Sequence, residues 1–134
     1  MLKILFTSTD KVICKKIKKI TPNTFKLFYG NTESEHDKIS EALAGKADVV
    51  FLDFHNIHFL RDTLPKAAVI IISDTYDLRK EYLSARFGAK GFITKDIKSH
   101  FFKQAVEMVT SGQYWMTRSV TTMIFREYGS MLRT

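Results

Sequence analysis

Short runs of consecutive apolar residues constrain the fold of this chain most. Val49 to Leu52 and Val69 to Ile72 are apolar at every position, and each run is followed at once by a polar residue, Asp53 and Ser73 respectively. A strand that is apolar throughout, rather than at alternate positions, needs cover on both of its faces, and a parallel sheet lined by helices provides that cover. The runs therefore favour an α/β fold built on a central parallel sheet.

Strand-like and helix-like segments alternate along roughly the first 112 residues. The apolar and β-branched runs predict strands over residues 3–6, 24–29, 48–52, 67–72 and 91–94. Helical periodicity, cap residues and glycine stops predict helices over residues 11–20, 34–45, 54–64, 78–87 and 97–110. Because crossovers between parallel strands are right-handed, this order predicts a doubly wound, flavodoxin-like (βα)5 sheet of five parallel strands with helices on both faces.

The end of the chain departs from this alternation. Apolar residues recur at helical spacing from Thr117 to Leu132, which predicts an additional amphipathic helix. This helix would pack back on the domain, pair with a second copy, or lead into a part of a longer protein. We therefore divide the chain into a domain over residues 1–115 and a helix or linker over residues 116–134.

Composition excludes several classes of protein. A length of 134 residues and a hydrophobic content of 45% suit one domain with its own core. No apolar run approaches the roughly 20 residues that a membrane span requires, and the start of the chain is too quickly polar for a signal peptide. A single cysteine, Cys14, cannot form an internal disulfide, which fits a reducing compartment. We expect a cytoplasmic protein with no membrane association.

The net charge of +7 leaves nucleic acid and acidic partners open. The densest basic cluster lies within residues 11–19, where apolar residues recur at helical spacing between the lysines. This pattern favours a solvated helix surface over a binding patch.

Polar residues at three predicted strand ends mark a candidate site. Asp53, Ser73 and Lys95 each follow an apolar strand-like run. Because the carboxyl ends of parallel strands meet at one edge of the sheet, these three side chains should converge there. A carboxylate could carry a phosphoryl group while the hydroxyl and the ammonium bind its oxygens.

The chain at this point resembles a response-regulator receiver domain. The resemblance is carried by residues 48–53, 69–73 and 88–96, and residues 111–115 resemble the end of receivers attached to a helix-turn-helix output domain. It implies that Asp53 is the phosphoacceptor, Ser73 and Lys95 bind the phosphate, and Phe92 is the switch aromatic. It also implies a histidine kinase as partner, and DNA binding only through an output domain outside this chain.

The chain departs from the receiver pattern where a metal would bind. Receivers carry two acidic residues after the first strand, which hold Mg²⁺, whereas Ser8 and Thr9 stand there in this chain. Hydroxyls bring no charge, so the affinity for Mg²⁺ should fall. Asp10, one position later, suits a helix cap better, and together with Asp53 it is the remaining candidate ligand.

Two further departures affect the site. The stretch from Asp53 to Ser73 is shorter than is usual in receivers, so the helix within it should be clipped. Asp74 follows Ser73, where it would repel a phosphoryl group or replace a missing metal ligand. With the acid pair lost, we expect Asp53 and Lys95 to form a one-to-one ion pair without a metal.

These features leave several functions open, and none of them is an enzyme. The favoured one is an atypical receiver that serves as the regulatory or dimerisation half of a transcriptional regulator, with Asp53 a weak or vestigial phosphoacceptor. The alternative is a fully functional, Mg²⁺-dependent phosphoacceptor, and a remote one is a flavodoxin-like cofactor-binding protein. A homodimer would form through the helix 78–87, strand 91–94 and helix 97–110 face, or through the C-terminal helix.

Overall fold

A computed structural model describes residues 2–8, 10–29, 39–40, 43–61 and 65–133. Within this part of the chain, five parallel strands form one sheet in the order β2-β1-β3-β4-β5. The strands are β1 (Leu2–Phe6), β2 (Phe25–Tyr29), β3 (Val49–Asp53), β4 (Ala68–Ser73) and β5 (Gly91–Thr94). The predicted doubly wound parallel sheet is confirmed.

Helices separate the strands. They are α1 (Lys11–Ile20), a 3-10 helix (Phe54–Leu60), α2 (Leu78–Arg86), α3 (Ser99–Thr110) and α4 (Arg118–Arg133). Of the helix predicted over 34–45, residues 39–40 and 43–44 are helical, and Gly45 is not. The other residues of that range lie outside the described residues. The clipped segment after Asp53 folds as a 3-10 helix, the tighter form that short connections adopt.

Apolar residues cover both faces of β3, as its sequence requires. All five of its residues are buried. Val49 and Phe51 join one core cluster with α1 and α3, whereas Val50 and Leu52 join a second cluster on the opposite face with Leu60 and Phe92. Successive side chains of a strand point to opposite faces, so this continuous run supplies two cores at once.

Glycines end α2 and α3 as predicted. Gly88 and Gly112 have φ values of 98° and 89°, a left-handed conformation that glycine adopts without a steric penalty. Behind Gly88, the Ala89 amide donates to the Ser84 carbonyl at 2.9 Å, and the Gly88 amide donates to Ala85 at 3.0 Å. This pair of hydrogen bonds is the Schellman arrangement, which satisfies carbonyls at the end of a helix.

The C-terminal helix α4 packs back on the domain, against α2. Val120 is completely buried, and Glu127 of α4 accepts hydrogen bonds from Tyr82 and Arg86 of α2. The sequence left open whether this helix packs back on the domain, and the structure shows that it does. Within the described residues, no helix is long and apolar enough to cross a membrane.

Removing the Phe102 side chain tests the face of the core between the sheet and α3. The rings of Phe51 and Phe102 stack with centroids 5.3 Å apart, and both side chains are fully buried. We expect Phe102→Ala to lower the free energy of unfolding by about 3–5 kcal/mol, because it leaves a cavity. Urea denaturation measures this change. The control Phe125→Ala, at a side chain 69% exposed, should cost less than about 0.5 kcal/mol, and equal losses would contradict the packing.

Candidate phosphoacceptor site

The carboxyl edge of the sheet brings the three predicted strand-end residues into one pocket. Asp53 ends β3, Ser73 ends β4, and Lys95 directly follows β5. The register pairs Ser73 with Thr94, and the Lys95 amide donates to the Ser73 carbonyl at 3.1 Å. A cavity of about 310 Å³ is lined by all three, with Asp10 and Asp74 beside them.

The pocket is deepest at Asp53 and Ser73. These side chains are 7% and 3% exposed, because both strands are buried on both faces up to their last residue. The Ser73 hydroxyl donates to the Thr75 carbonyl at 2.8 Å, so it is held by the loop that leads to α2. The Ser73 hydroxyl could therefore donate to a phosphoryl oxygen on Asp53 only after rotating away from the Thr75 carbonyl.

Lys95 lies between two carboxylates at the mouth of the pocket. Its Nζ is 2.5 Å from Asp10 Oδ2 and 2.5 Å from Asp74 Oδ1. Its hydrogen bonds to Asp10 and Asp74 raise the pKa of the Lys95 ammonium above its ordinary value. The hydrogen bond from Lys95, followed by those from the Ile13 and Val12 amides, holds the pKa of Asp10 below its ordinary 3.8.

The expected pairing of Lys95 with Asp53 alone is wrong, because the ammonium binds two other carboxylates. A contact between Lys95 and Asp53 stays a prediction. The ammonium binds Asp10 and Asp74, so the pocket contains three carboxylates rather than one. The prediction failed because it left Asp10 and Asp74 out of the charge count around Lys95. Asp10 lies one place beyond the acid-pair positions and Asp74 one place beyond Ser73. Both reach the pocket because each belongs to a loop at the same edge of the sheet.

Asp10 caps α1, as its position predicted. Its Oδ1 accepts from the Val12 amide at 2.9 Å and from the Ile13 amide at 3.4 Å, while Oδ2 accepts from Lys95. Ser8, at the first acid-pair position, is buried, and its hydroxyl accepts from the Asp10 amide at 3.2 Å. Thr9, at the second position, lies outside the described residues.

This arrangement does not fit Mg²⁺. The cation needs several oxygen ligands in near-octahedral geometry, and both oxygens of Asp10 already accept hydrogen bonds. Asp74 Oδ1 is likewise bound to Lys95. In the part of the chain that the structure describes, no three histidine, cysteine, aspartate or glutamate residues are grouped to hold a metal ion. Binding Mg²⁺ through Asp10 and Asp53 would require Lys95 to leave.

Two polar residues that line the pocket, Lys80 and His55, were not predicted to belong to it. Lys80 reaches it from the first turn of α2, with its Nζ 5.4 Å from the centre of the Phe54 ring. His55, which follows the 3-10 helix residue Phe54, also lines it. The position of Lys80 could have been predicted, because a helix that follows a parallel strand begins at the carboxyl edge of the sheet and Lys80 lies in the first turn of such a helix. Nothing in the sequence distinguished His55.

Phe92, the predicted switch aromatic, lies on β5 outside this pocket. Its side chain is 6% exposed and packs in the second core cluster. Tyr76 meets it edge-on, with ring centroids 6.2 Å apart and an interplanar angle of 82°. Both rings line a larger cavity of about 620 Å³ between α2, β5 and α3, together with Phe101 and Trp115.

Solved structures share this architecture. A response regulator from Thermotoga maritima matches with a TM-score of 0.67 at 18% identity, over 83% of this chain and 98% of that one. A LuxR family DNA-binding response regulator from Silicibacter pomeroyi matches with a TM-score of 0.67 at 23% identity, over 89% and 99%. A response regulator from Burkholderia pseudomallei with a phosphorylated aspartic acid and a calcium ion matches with a TM-score of 0.64 at 14% identity, over 84% and 70%.

The chain therefore has the fold of a response-regulator receiver domain. No protein family profile matches its sequence, and no curated protein is significantly similar to it. Since function resides in sites rather than in folds, the role of this pocket has to be argued from its own residues.

The depressed pKa of Asp10 predicts a pH dependence of stability. Its folded pKa lies below 3.8, so ionised Asp10 stabilises the folded chain fully above about pH 4, and this is lost as pH falls through the folded pKa. We expect the urea midpoint of the wild type to fall more steeply below about pH 4 than that of Asp10→Asn, which keeps a cap residue.

The control for this measurement is the same substitution in a Lys95→Met background. There Asp10→Asn should change the pH dependence much less, because the hydrogen bond from Lys95 is the largest cause of the shift. Identical pH profiles for the wild type and Asp10→Asn would contradict the ion pair.

Proposed function

We propose that this chain is the signal-receiver domain of an atypical response regulator, in which Asp53 is a weak or vestigial phosphoacceptor. It would act as the regulatory and dimerisation half of a transcriptional regulator in the cytoplasm, not as an enzyme, with DNA bound only by an output domain outside this chain. The observation that carries the proposal is Lys95, which lines the same pocket as Asp53 and whose ammonium is bound to Asp10 and Asp74.

The charge of the pocket explains why Asp53 would be a weak phosphoacceptor. A phosphoryl group on Asp53 would add negative charge to a pocket that already contains three carboxylates and two lysines. The single positive charge of Lys95 would be shared among the phosphoryl oxygens, Asp10 and Asp74, and like charges at close range repel. The resting ion pairs thus compete with the phosphorylated state.

A second function, a fully active Mg²⁺-dependent phosphoacceptor, is favoured by one observation. Asp10, Asp53 and Asp74 all line the same pocket, and carboxylate oxygens are the ligands that Mg²⁺ prefers. If Lys95 moved toward the phosphoryl group, these carboxylates would be exposed to a cation. A histidine kinase would then be the phosphodonor. Among the described residues that line the pocket, none favours the flavodoxin-like alternative, which would require a bound chromophore.

Beryllofluoride, which mimics a phosphoryl group on a carboxylate, tests the proposal. Titrated with millimolar Mg²⁺ and followed by amide NMR at Ser73, Phe92 and Lys95, it should give only weak, non-saturating shifts. Asp74→Ala should strengthen the response, because it removes a repelling charge and one of the bonds that hold Lys95.

The matched control is Asp96→Ala. This substitution removes the same negative charge from an exposed residue next to Lys95 in sequence. Asp96 accepts a hydrogen bond from Thr94 rather than from Lys95, so the response should stay weak. Saturable wild-type shifts that require Mg²⁺ and disappear in Asp53→Asn would support the second function. An equal gain in Asp96→Ala and Asp74→Ala would contradict the role of Asp74.

We further propose that a homodimer forms through the face made by α2, β5 and α3. The cavity of about 620 Å³ on this face is lined by aromatic residues, and Phe101 there is 44% exposed. Sedimentation velocity should show a dimer that Phe101→Glu dissociates and Phe125→Glu leaves intact. The opposite pattern would move the dimer interface to α4, where Phe125 is 69% exposed.

A further inference from the structure

Glu81 of α2 is a buried carboxylate outside the phosphoacceptor pocket. Its side chain is 2% exposed, and its oxygens accept three short hydrogen bonds. Tyr76 Oη and Thr117 Oγ1 donate to Oε1 at 2.8 and 2.7 Å, and the Thr117 amide donates to Oε2 at 2.7 Å. A buried charge is tolerated only with such partners, so the position of Glu81 depends on both donors.

Thr117 connects Glu81 to the C-terminal helix. It directly precedes α4, and its hydroxyl accepts from the Val120 amide at 3.4 Å while its carbonyl accepts from the Thr121 amide at 3.1 Å. The carboxylate therefore lies at the amino end of α4, where the helix dipole favours a negative charge. If α4 moved away, Glu81 would lose two of its three hydrogen bonds, and α4 would lose the group that holds its cap residue.

Tyr76 connects Glu81 to the phosphoacceptor pocket. It belongs to the loop between Ser73 and α2, and the Ser73 hydroxyl holds this loop through its bond to the Thr75 carbonyl. The Tyr76 side chain is 53% exposed, so it is not locked in the core. Its position is set by the edge-on contact with Phe92 and by the hydrogen bond to Glu81.

Farther along α4, Glu127 contacts α2 by accepting hydrogen bonds from Tyr82 and Arg86. The ion pair of Arg86 and Glu127 spans 3.4 Å, with side chains 55% and 42% exposed, and exposed pairs contribute little. Ala85, Val120 and Ile124 line a cavity of about 240 Å³ beside these helices, although Val120 itself is fully buried. The hydrogen bonds of Glu81 and the buried Val120 side chain together restrain the amino end of α4.

We propose that Tyr76, Glu81 and Thr117 form a latch, by which the loop after Ser73 sets how firmly α4 is held on the domain. A change at Ser73 that shifts Tyr76 would weaken the hydrogen bonding of Glu81 and so release the start of α4. Only the physiological trigger, occupancy of the Asp53 pocket, rests on the proposed function. The latch itself is a property of these three side chains, and it gives a route from the pocket to the segment that leads toward an output domain.

Hydrogen–deuterium exchange of the full chain, without any phosphodonor, tests the latch. In Glu81→Gln, amides of residues 120–126 should exchange about tenfold faster, because the neutral amide binds the cap more weakly. Tyr76→Phe keeps the ring against Phe92 and removes only the hydroxyl, so the same amides should exchange about threefold faster. Amides of α1 should change less than about twofold in both variants.

Glu107→Gln is the matched control. This glutamate of α3 is 53% exposed and lies 3.9 Å from Lys103, so its substitution should leave exchange of α4 unchanged. Unchanged exchange of α4 in Glu81→Gln, or an effect of Glu81→Gln without any effect of Tyr76→Phe, would overturn the proposal. Should Glu81→Gln fail to fold, Tyr76→Phe alone decides: faster exchange confined to α4 supports the latch, and no change overturns it. Because no phosphodonor is present, a failure of Asp53 to accept a phosphoryl group would not affect the result.

Discussion

The burial of β3 and β4 on both faces is the constraint on which the rest of the structure depends. Strands that are apolar at every position must be covered from both sides, and α1 and α3 supply one cover while the 3-10 helix and the residues around Ala89 and Phe92 supply the other. The same burial extends to the last residue of each strand. Asp53 and Ser73 therefore lie at the floor of a pocket rather than on an open surface.

The pocket combines buried residues at the positions expected for a receiver with a lysine that is bound to two aspartates. Asp53, Ser73 and Lys95 lie where the sheet topology directs them, but the ammonium of Lys95 is bound to Asp10 and Asp74. This matters because the ammonium already binds two of the carboxylates that a metal would need. The chemistry of the site is decided by which partner Lys95 prefers, a competition between fixed aspartates and an incoming anion.

Buried polar groups also define the connection from the pocket to the end of the chain. Glu81 is shared between a loop that begins at Ser73 and the helix that begins after Thr117. Such a shared group couples the two elements, because neither can move without leaving a buried charge short of hydrogen bonds. The coupling is reciprocal, so a partner that captures α4 would also change the loop beside the pocket.

The sequence alone determined the elements and their order, because those depend on local properties: apolar runs, helical periodicity, the Asp10 cap and the glycines at 88 and 112. It also placed Asp53, Ser73 and Lys95 at one edge, since parallel topology gathers strand ends. Only the tertiary structure decided the partners of Lys95 and the burial of Glu81. Asp10 lies 85 residues from Lys95 in sequence, and Glu81 stands among polar residues of an ordinary amphipathic helix, so no local pattern marks either contact. Distances of a few ångströms between separate loops arise from packing, and those distances set the electrostatics of this site.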